Sequence, residues 1–280
     1  MSHSISICIA TYKRPARLAA LLHDLAAQTK SAAQVVVVDN DASGSARPLV
    51  EAFRANAPFA LDYDIQPARN IALTRNRTVA LAHGEWLAFI DDDERAPSDW
   101  LSTLVDEAGR LAADGLLGPV LPLVPDTAPG WIRAGRFYDF PRMPTGSEVP
   151  ANQLRFGNVL LRARLLRQEN GPFDPAYGLT TGEDGDLLLR LRARGGRILW
   201  CDEAVVQEPI EPARLSLHWL LQRTYSGGQE YARKALAGRY GALTRWRRLR
   251  FLADAIAKLL IASLLVAPAL LGGRHRAAHW

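Results

Sequence analysis

Residues Phe89–Glu94 read FIDDDE, three aspartates and a glutamate directly after an apolar stretch. Adjacent carboxylates repel one another, so a folded chain keeps such a cluster only where positive charge neutralises it, or leaves it as an acidic surface turn. Oxygen-only ligands suit a hard divalent cation, Mg2+ or Mn2+. In an extended segment Asp91 and Asp93 would face one ligand and Asp92 the opposite side. A second acidic pair, Glu183-Asp184, follows Thr180-Thr181-Gly182 at the start of an expected helix. The stripe Leu187, Leu188 and Leu191 sets that helix's inward face, and Asp184 shares it. An inward carboxylate there has the setting of a general base, although the helix dipole alone also favours acids in a first turn. Asp186 falls with Arg190 and Arg194 on what reads as a solvated face. Arg75, in Leu73-Thr74-Arg75-Asn76, suits a diphosphate or a flat base edge; an exposed helix arginine would look the same.

The elements that must position these groups alternate. Ile5–Ala10 is rich in β-branched residues and reads as a strand. Pro15 opens a helix whose Leu18, Leu21, Leu22 and Leu25 form one stripe. Val35–Val38 is a continuous apolar run of the kind buried on both faces of a parallel sheet. A helix near 46–55, a strand near 61–65, a helix near 69–82 and the strand Trp86–Ile90 follow. This is an α/β fold with a mostly parallel sheet, in which ligands bind outside the carboxyl ends of the strands. Thr11-Tyr12-Lys13-Arg14, Asp39-Asn40-Asp41 and Asp91–Glu94 all sit at such ends. Further on, Leu116–Val124 reads as a strand, 125–150 as a long loop, and Leu154–Arg162 as a strand containing Gly157-Asn158. A helix runs from Gly182 to about Arg194, and Ile198–Cys201 and Ala204–Val206 read as short strands. The chain looks helical from Pro212 on.

The charge is uneven. The formal net charge is +5 over 280 residues, but residues 1–213 carry 22 Lys+Arg against 27 Asp+Glu, and residues 214–280 carry 12 against 2. An acidic body with a basic tail argues against nucleic acid as the partner, as does the lack of an aromatic-plus-basic sheet pattern. The expected division is a body at 1–213 and an extension at 214–280. In that extension Arg245, Arg247, Arg248 and Arg250 precede Phe251–Leu271, whose uncharged part, Leu259–Leu271, is too short to span a bilayer comfortably. A membrane-surface helix through 245–271 on anionic lipid is expected, at the cytoplasmic face of the cell membrane; packing on the body or a second subunit is the alternative. Cys8 and Cys201 lie in apolar runs and read as inert core residues. The opening MSHSISICIATYKR lacks the charged start and long apolar run of a secretory signal.

The ordered set TYKRP, VVVVDND, ALTRN, FIDDDE with Trp100-Leu101, FGN and TGED resembles glycosyltransferase family 2 over residues 4–230. Gly118–Val120 and EPIEPARLSLHWLLQRTYSGG resemble most the succinoglycan-type glucosyltransferases of exopolysaccharide synthesis. The resemblance implies a GT-A nucleotide-sugar fold and an inverting, metal-dependent transfer from a UDP-sugar to a lipid-linked saccharide. By position it implies that Thr11, Tyr12, Arg14 and Asp39 hold the nucleotide, with Asp39 accepting from the uracil N–H. Arg75 would contact base or diphosphate, Asp91 and Asp93 would form the DXD element, with Asp93, and Asp91 beside it, binding the metal, and Asp92 would join the donor-binding residues. Asp184 would be the base, with Glu183 orienting it or binding acceptor hydroxyls. Many relatives carry a metal-proximal histidine where this chain has Glu208, which would take its place. Arg214 and Arg223 are further diphosphate contacts on this reading. A polyisoprenyl-phosphate sugar synthase of the same fold and a two-metal phosphohydrolase are the other expectations.

Overall fold

Runs of branched apolar residues need cover on both faces. The computed structural model gives them that in a seven-stranded sheet between two layers of helices, and describes residues 4–180, 182–242 and 244–272. The first four strands, β1 (Ile5–Thr11), β2 (Gln34–Asp39), β3 (Ala60–Ile65) and β4 (Trp86–Ile90), run parallel. Each is followed by a helix: α1 (Pro15–Ala26), α2 (Arg47–Arg54), α3 (Ile71–Leu81) and α4 (Trp100–Arg110). Then come β5 (Gly115–Leu117), β6 (Val120–Leu123), α5 (Gly130–Gly135), β7 (Asn158–Arg162), α6 (Ala163–Leu166), α7 (Glu183–Ala193), β8 (Ile198–Trp200) and β9 (Val206–Pro209). The helices α8 (Leu217–Leu236) and α9 (Arg245–Gly272) end the described chain. The main sheet has the order β3-β2-β1-β4-β7-β5-β8 with only β7 antiparallel, and β6 and β9 pair in a small second sheet.

The period-two alternation of the strands builds two cores. Ile5, Ile7, Ile9, Val35, Val37, Trp86 and Ala88 pack under α1, α2 and α4, with Leu18, Leu22, Val50, Leu101 and Leu104. Cys8, Val36, Val38, Leu87 and Phe89 pack on the other face with Phe173 and the α7 stripe Leu187, Leu188 and Leu191. Both cysteines are buried, and burial pushes the Cys8 thiol up to about 12, as an inert core residue requires.

Three elements depart from the sequence expectation. Leu116–Val124 is two strands in different sheets, parted at Gly118-Pro119. The Gly118 N–H donates to the Asn158 carbonyl at 2.9 Å, and a Cβ on Gly118 would stand 2.4 Å from the Ala204 carbonyl. The strand expected from Leu154 starts only at Asn158, because Gly157 takes φ +113, a left-handed conformation that interrupts pairing. The late strand is Val206–Pro209, in place of Ala204–Val206. Asn158 is the joint of this region. Its Oδ1 accepts from Trp100 Nε1 at 2.8 Å, and its Nδ2 donates to the carbonyls of Pro119 at 3.0 Å and Ala204 at 2.5 Å.

By its contacts the chain divides into two units at Ala232/Arg233, later than the charge-based boundary at 213/214. In the second unit α9 exposes Trp246, Leu249, Leu252, Ile256 and Leu260. Among the described residues no helix is long and apolar enough to cross a membrane.

Asn158→Ala strands the buried Trp100 indole N–H and the Ala204 carbonyl; the Pro119 carbonyl keeps the Val206 N–H as donor. The expected loss is about 2–4 kcal/mol in chemical denaturation, with β4 and β7 still intact at room temperature.

Candidate functional site

β1 and β4 are adjacent and parallel, so Thr11 and its successors meet Asp91–Glu94 at one sheet edge. The acidic segment is not extended. It closes into a turn: the Glu94 N–H donates to the Asp91 carbonyl at 3.1 Å, and Glu94 Oε2 accepts from the Asp91 N–H at 3.1 Å. All four acids therefore line a cavity of about 740 Å3. Asp92, expected to face away, accepts from Thr11 Oγ1 at 2.7 Å and from Arg14 at 3.2 Å. Asp93 Oδ2 accepts from Arg14 at 2.9 Å and from Arg214 at 3.0 Å. Arg214 also pairs with Glu208, which β9 brings to the same wall.

Arg75 is no exposed helix arginine. Its guanidinium donates to Glu183 Oε1 at 2.5 Å and to Asp91 Oδ1 at 3.1 Å, and it lies 5.2 Å from the Phe156 ring centre. Burial works against its charge, but Glu183, Asp91 and Asp184 outweigh that and hold it more firmly protonated than a free guanidinium. Gly182, at φ +114, turns the chain into α7; a Cβ there would meet Glu230 Cγ at 2.4 Å. Thr181, part of the same motif, lies outside the described residues. Glu183 is buried against Arg75, so it holds that arginine and does not face open space for acceptor hydroxyls. Asp184 is half-buried; its Oδ2 accepts from the Phe156 N–H at 2.9 Å and its Oδ1 from the Gly185 N–H at 2.7 Å. Both acids reach the cavity through residues that line it, Arg75 and Phe156. Asp186 is fully buried, contrary to its solvated reading. It pairs with Arg190 at 2.9 Å, and Arg190 in turn binds Glu169 and the Pro172 carbonyl in a covering loop.

Asp39 corrects the sequence expectation most clearly. It is fully buried and does not line the cavity. Its Oδ1 accepts from the Asp41 N–H at 2.9 Å, and its Oδ2 accepts from the Ala46 N–H at 2.9 Å and the Tyr63 hydroxyl at 3.1 Å. It organises the β2–α2 loop. The next residue, Asn40, lines the cavity instead. It also ties down the loop ahead of α3, donating to Gln66 and Ala68 carbonyls and accepting from the Asn70 N–H at 3.0 Å. Tyr12 sits beside it with the charges of Lys13 and Arg69 over its ring. Asn40, Arg69, Phe140, Arg155 and Phe156 were not picked out as site residues by the sequence reading. The FGN motif signals Phe156, whereas nothing local marks Phe140 or Arg155.

The site's electrostatics follow from a count of partners. Arg14 bridges Asp92 and Asp93, Arg75 bridges Asp91 and Glu183, and Arg214 bridges Asp93 and Glu208. Glu94 and Asp184 are held by backbone N–H groups. Arg17 also bridges Asp93 and Glu211, and Arg14 reaches Glu211 at 3.9 Å, so eight carboxylates stand against four bridging arginines. Burial first, and then mutual repulsion, raises the acids that this deficit leaves exposed to each other. Asp92 is pushed up to about 6, Glu183 to about 7, and Glu94 well above the carboxylate range. Burial and Asp93 also raise Glu208. Gly157 is part of this packing, since a Cβ there would stand 2.6 Å from Glu94 Oε1. A divalent cation fits the donor set: hard oxygens of Asp93 and Glu208 converge on the one Arg214 guanidinium. Among the described residues no group of three or more His, Cys, Asp or Glu side chains surrounds a single metal position. Any ion here therefore completes its shell with substrate or water.

The sign of the pH dependence is fixed by these shifts. The unfolded carboxylates release their protons near pH 4, whereas folded Asp92 and Glu183 keep theirs to about 6 and about 7. The native state then binds more protons, so stability of the metal- and nucleotide-free protein falls as pH rises from about 4.5 to about 7. Thermal melts across that range should show the fall, and Glu94→Gln should reduce it. A rising Tm would contradict the assignment.

A family model described as glycosyl transferase family 2 matches residues 6–158, more than half of the chain. The succinoglycan biosynthesis protein ExoM of Rhizobium meliloti is 36% identical over 248 residues, covering 86% of this chain and 78% of that protein. Two solved structures share the fold. The mannosyltransferase PcManGT from Pyrobaculum calidifontis, solved with GDP-Man and Mn2+, superposes with a TM-score of 0.64 at 18% identity, covering 100% of this chain and 81% of that one. TarS 1-349 of S. aureus, solved with UDP, gives 0.60 at 20% identity, covering 75% of this chain and 61% of that one. The sheet order, the acid-and-arginine cavity at its carboxyl edge and these matches agree: the chain belongs to glycosyltransferase family 2 and is a glycosyltransferase with the α/β GT-A fold.

Proposed function

We propose that this glycosyltransferase moves a sugar, with inversion, from a UDP-sugar to a hydroxyl of a lipid-linked saccharide during exopolysaccharide synthesis, using Mn2+ or Mg2+. The observation that carries the reading is the set of three arginines each bridging two carboxylates around one cavity. Five carboxylates and six arginines line that cavity, a mix that suits a metal cation together with the diphosphate it would carry. The solved relatives holding UDP, or GDP-Man with Mn2+, support the same ligand classes, and the name of ExoM supports the polysaccharide context.

In this reading Asp93 and Glu208, with Asp91 beside them, hold the metal, and Thr11, Tyr12 and Arg14 flank the nucleotide with Asn40 and Arg69. When bound, the metal supplies positive charge to the departing diphosphate. Arg75 keeps Asp91 and Glu183 in register and adds a fixed positive charge where negative charge develops. Asp92 fastens the acidic turn to Thr11. Asp184 takes the proton of the acceptor hydroxyl. Its two N–H bonds fix its orientation and leave lone pairs open for that proton. A single base opposite the leaving group makes the displacement in-line and inverting.

The test is turnover of a UDP-sugar panel with Mn2+. Donor hydrolysis or transfer is expected with at least one UDP-sugar. Asp93→Ala should abolish the metal response. Asp184→Asn should lower kcat by about 10^2–10^4-fold with little change in donor KM. No turnover or binding of any UDP-sugar would refute the reading, and product from bare polyprenyl phosphate would shift it to a lipid-phosphate acceptor.

The tail carries a second proposal: α9 lies on the cytoplasmic face of the cell membrane. Its basic start, Arg245, Arg248 and Arg250, adjoins exposed Trp246, Leu249 and Leu252. Co-sedimentation with anionic vesicles should be strong for the full chain and weakened by salt. It should be lost when the chain stops at Thr244, and equal binding by both forms would refute it.

A further inference from the structure

The order of the strands gives the cavity two ends. β1 and β2 lie to one side of β4 and place Thr11, Tyr12 and Asn40 there; β7 lies to the other, and Arg155 and Phe156, just ahead of it, line that end. Arg14, Arg75 and Arg214 are each committed to two or more carboxylates. Arg155 and Arg223 also line the cavity, but among the described residues neither is ion-paired. Aromatic rings brace them instead. The Arg155 guanidinium lies 3.3 Å from the Phe140 ring centre, and that of Arg223 lies 5.2 Å from the Trp219 ring centre. Stacking fixes the plane of a guanidinium and leaves its N–H edge for a bidentate oxyanion. Burial, and then the charge of Arg223, pulls the Arg155 pKa down to about 10. Two like charges thus share the wall of one cavity; Glu94, Asp184 and Glu208 act on Arg155 through space, but among the described residues none pairs with it.

We infer that Arg155 and Arg223 form an anion subsite at the acceptor end of the cavity, taking a phosphate or carboxylate group carried by the acceptor saccharide. The inference rests on the glycosyl-transfer reading for the word acceptor, though not for the anion. Phe140, 42% exposed beside Arg155, offers the face against which a sugar ring packs next to that group. The subsite makes acceptor choice a matter of charge as well as shape. An acceptor lacking the anion leaves the half-buried Arg155 guanidinium without an ionic partner.

The experiment titrates glucose 1-phosphate, glucuronate and glucose into the full chain saturated with UDP and Mn2+, by calorimetry. Charge-assisted hydrogen bonds to one anion are expected to favour an anionic sugar over glucose by about 10-fold or more. Preference for glucose 1-phosphate identifies a phosphate-bearing acceptor, and preference for glucuronate an acidic sugar. Arg155→Met and Arg223→Met should each remove the preference while UDP affinity changes by less than about 2-fold, and Arg155→Lys should retain part of it. Arg223 is exposed, so its variant reports even if Arg155→Met folds poorly. No preference in the wild type overturns the subsite. So does a loss of UDP affinity of about 10-fold in Arg155→Met or Arg223→Met with the sugar preference intact, which would assign that arginine to the donor diphosphate. If the wild type binds no UDP, the donor reading fails, and the same titration without nucleotide still decides the subsite.

Discussion

Everything at this site depends on keeping eight carboxylates together with four bridging arginines. Packed carboxylates repel, and burial removes the water that would screen them. The fold answers by giving each of Arg14, Arg17, Arg75 and Arg214 at least two acidic partners, most of them far from it in the chain. Arg75 alone ties α3 to the turn after β4 and to the first turn of α7. The ion pairs are therefore cross-links between elements as well as charge balance. What they leave unbalanced appears as protons retained by Asp92, Glu94 and Glu183.

The scaffold around this cluster is built to hold small spaces. Gly157 leaves room for Glu94, Gly118 for Asn158, and Gly182 for Glu230. Asn158 then fastens β7 to α4 and to the strand break at Pro119. The FGN motif is thus three tasks in three residues: Phe156 supports Arg75 and orients Asp184, Gly157 clears the acidic turn, and Asn158 pins the sheet. Stability and site geometry share these residues, so changes here affect both.

The parallel half of the fold was legible in the sequence because its signals are local. Stripes such as Leu18, Leu21, Leu22 and Leu25, Pro15 at a helix start and the run Val35–Val38 each fix an element without distant help. The position of the site followed from strand ends alone, and the family from the order of its motifs. What was not legible depended on distant partners. Spacing does not say which of Asp39 and Asn40 turns into the cavity; the Ala46 N–H and Tyr63 hydroxyl decide it. The acidic run was expected to be extended, but Glu94 folds back on Asp91. Asp186 looked solvated until the loop carrying Glu169 and Pro172 covered it. Taken alone, Arg75 could not be told from an ordinary helix arginine, because its partner Glu183 lies 108 residues away.

The central claim is that burial and mutual repulsion raise the acids of this cluster, so that a cation taken up among them displaces protons. Proton release on loading tests it most directly. Calorimetric titration of Mn2+ with UDP at pH 6, repeated in buffers of different ionisation enthalpy, counts the protons lost. Release of about half to one proton per chain is predicted, as the metal displaces protons shared by the raised acids. No release, or net proton uptake, would contradict it.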